Sequence, residues 1–76
     1  MSNYQTLTVN AMTGSTYWQK PHQTVGDAQA HAFKYTRNKA DLFIYEIFEK
    51  GAIRLLKTIT HQEVESIRHL STTLEL

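Results

Sequence analysis

The sequence predicts an α+β fold with element order β-β-α-β-β-α, a four-stranded, mainly antiparallel sheet packed with two helices, in one domain spanning residues 1–76. Three observations lead there. Apolar residues alternate with period two from Tyr4 to Ala11 and again through Asp41–Thr60, each stretch interrupted or followed by a glycine-bearing turn. Thr24 and Thr60 each stand just ahead of an apolar stripe at helical spacing. Proline occurs once, at Pro21, between the first strand pair and the first helix.

The first strand, Tyr4 to Ala11, places Leu7, Val9 and Ala11 on one face and Tyr4, Thr6 and Thr8 on the other. Met12-Thr13-Gly14-Ser15 forms the turn, with Gly14 free to take positive φ. Thr16 to Lys20 is a short second strand carrying Tyr17 and Trp18, ended by Pro21. Thr24 then caps a helix whose first turn holds Asp27, an acid suited to the positive end of the helix dipole. That helix runs to Arg37 or Asn38. Its inner stripe is Val25, Ala28, Ala32 and Tyr35, with Phe33 at the edge, and the alanines permit a close approach to a sheet. Lys34, Arg37 and Lys39 gather at its C-terminal end, where cations are favoured.

Asp41 to Thr60 reads as one hairpin with apolar side chains on both faces. Two registers compete. A two-residue loop at Lys50-Gly51 pairs Glu46 with Leu55 and Ile44 with Lys57, mixing charge into apolar pairs. A three-residue loop with Gly51 in the left-handed bulge position instead pairs Phe48 with Ala52, Ile47 with Ile53, Glu46 with Arg54, Tyr45 with Leu55 and Ile44 with Leu56. Matched cross-strand pairs each contribute roughly 0.2–1 kcal/mol, which favours the bulged register. One face then carries Phe43, Tyr45, Ile47, Ile53, Leu55 and Ile59 and is assigned to the core. The other carries Leu42, Ile44, Phe48 and Leu56 around a Glu46–Arg54 pair.

Thr60-x-x-Glu63 is a capping box that starts a second helix at His61 and runs it to about Leu70, with Val64, Ile67 and Leu70 inward. The tail from Ser71 to Leu76 carries no clear pattern. Strand order is left open by these arguments.

Composition narrows the function classes. A chain of 76 residues buries roughly 60% of its unfolded surface, and without cysteine it has neither disulfides nor thiolate ligands to supplement that. Oligomerisation or partner binding is the remaining source of burial. A formal charge of +1 speaks against both a strongly basic nucleic-acid binder and an acidic mimic. No secretion-type start and no apolar run of ~18–20 residues is present, so a soluble, cytoplasmic protein without membrane association is expected.

Catalytic chemistry finds little support. His61, Glu65 and His69 share one helix face, but His61 and His69 stand about 12 Å apart along the axis at 1.5 Å per residue, too far for one zinc ion. No metal, no cofactor and no enzymatic activity are expected. A nucleic-acid-binding edge built from Lys20, Lys34, Arg37 and Lys39, with Tyr17 or Trp18 stacking a base, is the alternative reading. The leading one is a protein-binding surface of Leu42, Ile44, Glu46, Phe48, Arg54 and Leu56, apolar at its centre and punctuated by a charged pair, taken up by a foreign protein or by a second copy in a homodimer. If instead the second helix or the first hairpin covers that face, as it would with the two helices packed on opposite sides of the sheet, it belongs to the monomer. In size and absence of catalytic motifs the chain is similar in kind to the small proteins of phages and mobile elements that inhibit a host complex by binding it, anti-CRISPR proteins among them.

Overall fold

A computed structural model describes the backbone of residues 2–36 and 39–74 and the side chains of 2–36 and 39–67. Strands β1 (Asn3–Asn10), β2 (Thr16–Trp18), β3 (Ala40–Ile47) and β4 (Ile53–Ile59) form one antiparallel sheet in the order β2-β1-β3-β4, with helices α1 (Val25–Tyr35) and α2 (His61–Leu74). The α+β class and the element order are those expected from the sequence. Both hairpins close on glycines with positive φ, Gly14 at 76° and Gly51 at 90°, where a side chain would be strained.

The ladder beyond β2 does not stop at Pro21. Lys20 and Pro21 swing out, and His22 returns to exchange two 2.8 Å backbone hydrogen bonds with Tyr4. The missing proline amide therefore costs no sheet hydrogen bond.

In the second hairpin the bulged register holds next to the turn: Ile47 faces Ile53, Glu46 faces Arg54 and Tyr45 faces Leu55. Phe48 donates its amide to the Ala52 carbonyl at 2.9 Å, closing the three-residue loop. Past Tyr45 the register shifts by one, so Ile44 faces Lys57, not the expected Leu56, and Leu42 faces Ile59. Leu56 is the extra residue of a β-bulge. Beyond it the ladder follows the register of the two-residue loop, so each competing register describes half of the hairpin.

Strand β1 lies between β2 and β3 and is antiparallel to both, so β2 and β3 run parallel and α1 is a crossover connection. The side a crossover helix occupies is set by the handedness of the connection, not by which sheet face is more apolar. Here α1 packs over β1 and β3, and α2 packs against β3. The core between them and the sheet comprises Ala28 and Ala32 of α1, Leu42 and Ile44 of β3, Ile59 of β4 and Val64 of α2, flanked by Tyr4 and Phe33. Thr6 and Thr8 of β1 are buried in the same layer. This reverses the assignment of the hairpin faces made from sequence. Leu42 and Ile44 are fully enclosed, whereas Phe43, Tyr45 and Ile47 are only half-buried on the opposite side. Ile59, expected among those residues, is carried across by the bulge.

Helix ends follow their caps. Thr24 Oγ1 accepts from the Asp27 amide at 3.1 Å, and Thr60 Oγ1 accepts from the Glu63 amide at 3.3 Å. α1 stops at Tyr35, with Thr36 extended as its C-cap, earlier than the expected end at Arg37 or Asn38, which lie outside the described residues. Within its expected inner stripe, Ala28 and Ala32 are buried while Val25 and Tyr35 are exposed. α2 continues to Leu74, through a tail that carried no helical signal in the sequence. Val64 is inward as expected, but Ile67 is 44% exposed, and the Leu70 side chain lies outside the described residues. Asp41 fixes the start of this helix by accepting from the His61 amide at 2.8 Å and contacting its Nδ1 at 3.0 Å. Those two hydrogen bonds, side chain first, hold the Asp41 carboxyl below its ordinary range.

Candidate protein-binding face

With both helices on one side, the other side of the sheet is open among the described residues. Cross-strand partners share a face, so the registers define what this side presents. Leu7 and Val9 of β1 pair with Phe43 and Asp41 of β3 and with Trp18 and Thr16 of β2. Gln5 pairs with Tyr45, which in turn pairs with Leu55, and Asn3 pairs with Ile47, which pairs with Ile53. Eight apolar side chains thus cross all four strands: Leu7, Val9, Trp18, Phe43, Tyr45, Ile47, Ile53 and Leu55. Trp18, Ile53 and Leu55 are 44%, 55% and 48% exposed. The other five shield one another and remain half-buried. Trp18 leans on Tyr45 across β1, ring centroids 5.4 Å apart at 54°, a tilted aromatic pair of the kind that anchors interfaces. Asp41, at the border of this face, is already engaged by His61.

The six residues expected to bind a partner divide between core and surface. Leu42 and Ile44 are core, and they are unavailable because α1 and α2 close over them. Glu46 is buried at the margin of the same layer. Its Oε1 takes a 2.6 Å charge-assisted hydrogen bond from Arg54 and its Oε2 a 2.9 Å bond from the Ser2 hydroxyl. The Glu46–Arg54 pair is thus present, as a rim clasp and not as the centre of an interface. Phe48, Arg54 and Leu56 remain exposed, with the Arg54 guanidinium 6.0 Å from the Phe48 ring centroid. Sequence reasoning assigns Tyr45, Ile53 and Leu55 to the core and leaves Leu7 and Trp18 without a place on this face. The β-β-α-β order held the missing signal, because it makes α1 a crossover helix once β1 is placed between β2 and β3.

A second feature lies where β2 and the end of α1 meet. A cleft of about 500 Å³ is lined by Thr8, Asn10, Ser15, Tyr17, Gln19, His31, Tyr35 and Thr36, among others. His31 sits between His22 and Tyr35, with centroids 4.7 and 4.5 Å away, and the Lys34 ammonium lies 5.4 Å from the Tyr35 centroid. Partial burial first, then the nearby His22, Lys20 and Lys34, push the His31 pKa below its usual 6.5. Of the four residues in the alternative nucleic-acid reading, the fold thus brings Lys20 and Lys34 into one neighbourhood. Lys39 is exposed ahead of β3, and Arg37 lies outside the described residues. Tyr17 lines this cleft, whereas Trp18 belongs to the opposite side of the sheet.

Among the described residues no group of three His, Asp or Glu side chains is placed to hold a metal ion, and no helix is long and apolar enough to cross a membrane. Comparison with family models, with curated proteins and with solved structures returns no match to this chain.

Proposed function

We propose that this chain is a protein-binding module that acts by occupying a surface, without chemistry of its own, and that the open sheet face is the surface it uses. One observation carries the reading: eight apolar side chains, three of them aromatic, span all four strands with no helix above them. Soluble proteins seldom leave an apolar patch of this extent unpaired unless it binds something. Uncharged polar residues at Asn3, Gln5, Thr16 and Thr58 border the patch, giving the apolar centre and polar rim of an interface. The fitting partner is a protein surface that is itself apolar and carries little charge. The similarity in kind to inhibitors of phages and mobile elements suits this mode of action but adds no residue to it.

The test compares immobilised wild-type protein with its Ile53→Lys variant. The expected result is a protein retained at fixed stoichiometry by the first and lost from the second. Identical retention by both would overturn the assignment of the face.

The cleft beside α1 favours a second reading, binding of single-stranded nucleic acid, because Tyr17 and His31 line it and Lys20 and Lys34 lie near His31. It requires affinity for an oligonucleotide that falls steeply with salt and a shallower salt slope in Lys34→Ala. Absence of binding at low salt would eliminate it.

A further inference from the structure

We propose that the occupant of the open face is a second copy of this chain, the two sheets stacked face to face about a two-fold axis. The proposal rests on the protein-binding reading and names the partner. Three properties of the face select a copy of itself.

The first is area. Strands about 4.8 Å apart, of 8, 3, 8 and 7 residues at about 3.3 Å each, give a flat footprint of roughly 400 Å². Trp18, Ile53 and Leu55, at 44%, 55% and 48% exposure, alone leave roughly 300 Å² accessible, taking about 180–250 Å² for a fully exposed large side chain. With the five half-buried residues and the polar border, the face offers roughly 600 Å² per copy. Two copies bury about 1,200 Å², the lower bound for a specific, stable interface.

The second property is charge. An isologous contact brings a patch against itself, so any unpaired charge on it would meet its like. The apolar centre of this face carries none: Lys39, in register with Ala11, and Asp41, hydrogen-bonded by His61, stand together at one end of it, and Arg54 and Lys57 belong to the helix side, bound to Glu46 and Gln29. A foreign partner chosen by charge would find nothing to read at that centre. A neutral apolar copy fits.

The third is the state of the sheet edges, which decides between stacking and edge-to-edge pairing. β4 is interrupted by the Leu56 bulge and carries Arg54 and Lys57 within it, and β2 has only 3 residues before the chain swings out at Lys20-Pro21. Bulges, charges and short strands are what blunt an edge against pairing. The edges are guarded and the face is not, so association stacks the sheets about 10 Å apart, as in a β-sandwich.

Trp18 is the sole tryptophan and lies in the patch, so its fluorescence reports directly on cover. The experiment measures sedimentation mass and acrylamide quenching of Trp18 from about 5 to about 500 µM, for wild type, Leu55→Lys and Ile53→Lys. Both substituted residues are half-exposed, so the variants keep the fold, which far-UV circular dichroism verifies. The expected result is a mass approaching twice 8.8 kDa, with quenching that falls as the dimer forms. Either lysine should weaken association by roughly 100-fold or more, because each is buried opposite its own copy. A wild-type monomer at every concentration with Trp18 freely quenched would overturn self-pairing and leave the protein-binding reading standing. A monomer with Trp18 shielded would overturn both, since the chain would then cover the face itself. A dimer indifferent to both lysines would place the contact elsewhere and also overturn the proposal.

Discussion

Two isoleucines on adjacent strands, Ile44 of β3 and Ile53 of β4, offer a matched test of which side of the sheet is core. Truncating each to alanine removes the same atoms, but Ile44 is 0% exposed and Ile53 is 55% exposed. At Ile44 the loss combines transfer free energy with a cavity that α1 and β1 cannot collapse to fill. Measured large-to-small changes at such sites run about 2–5 kcal/mol, and full enclosure places this one at about 3–4 kcal/mol. A chain of 76 residues has a total stability of roughly 4–11 kcal/mol. Ile44→Ala therefore removes a large fraction of it and lowers Tm by roughly 15–25 °C. Ile53→Ala costs under about 1 kcal/mol in the monomer, since half its surface is already in water. Urea and thermal unfolding followed by circular dichroism separate the two, provided protein concentration is varied. If the sheets stack, the Tm of the wild type rises with concentration, and Ile53→Ala flattens that rise while Ile44→Ala shifts the whole curve. Equal destabilisation by the two substitutions at a concentration where the chain is monomeric would refute the assignment of faces.

Other consequences are smaller but distinct. Removing the guanidinium in Arg54→Ala leaves Glu46 buried with the Ser2 hydroxyl as its remaining side-chain partner among the described residues; because Arg54 is itself largely exposed, the expected loss is about 1 kcal/mol, and a double-mutant cycle with Glu46→Gln should return a coupling of similar size. Gly51→Ala places a side chain at φ 90°, and unfolding should show a loss of about 1 kcal/mol with no change in the core. Asp41 has a carboxyl pKa lowered by folding, so its contribution is complete above the ordinary value of 3.8 and is lost as pH falls through the lower folded value; Asp41→Asn should therefore flatten the acid limb of a stability–pH curve. His31 is also shifted down, so its contribution is complete above 6.5 and declines as pH falls toward the folded value. Its imidazole resonances should titrate below 6.5, and Lys34→Ala should move that midpoint upward.

Elements whose signals are local were legible in the sequence. The caps at Thr24 and Thr60, the turn glycines and the Glu46–Arg54 pairing depend on residues within one turn or one hairpin, where propensity and pairing energy act directly. The core was misassigned because both faces of β3 are apolar, and hydropathy alone cannot choose between them. Handedness of the β2-α1-β3 connection makes that choice, and it becomes visible only when strand order is known. The residues expected to bind a partner inherit the error: Leu42 and Ile44 stand among them, while Tyr45 and Leu55 are assigned to the core. Convergence of Lys20 on the Lys34 neighbourhood was equally hidden, since it depends on the return of the chain at His22 to pair with Tyr4. The α2 overrun to Leu74 had no stripe to announce it, because Ser71, Thr72 and Thr73 are weak helix formers.

Leu56 gives one codon control over the architecture. As the unpaired residue of β4, it offsets everything after it by one step, which is what sends Ile59 to the helix side and lets α2 begin next to Val64's packing site. Deleting it would restore an unbroken ladder in which Ile59 points to the open face. The launch point of the second helix would turn over with it, toward the patch now left bare. An in-frame loss of a single residue would thus separate a chain that leaves its apolar sheet face open from one placed to shelter that face itself.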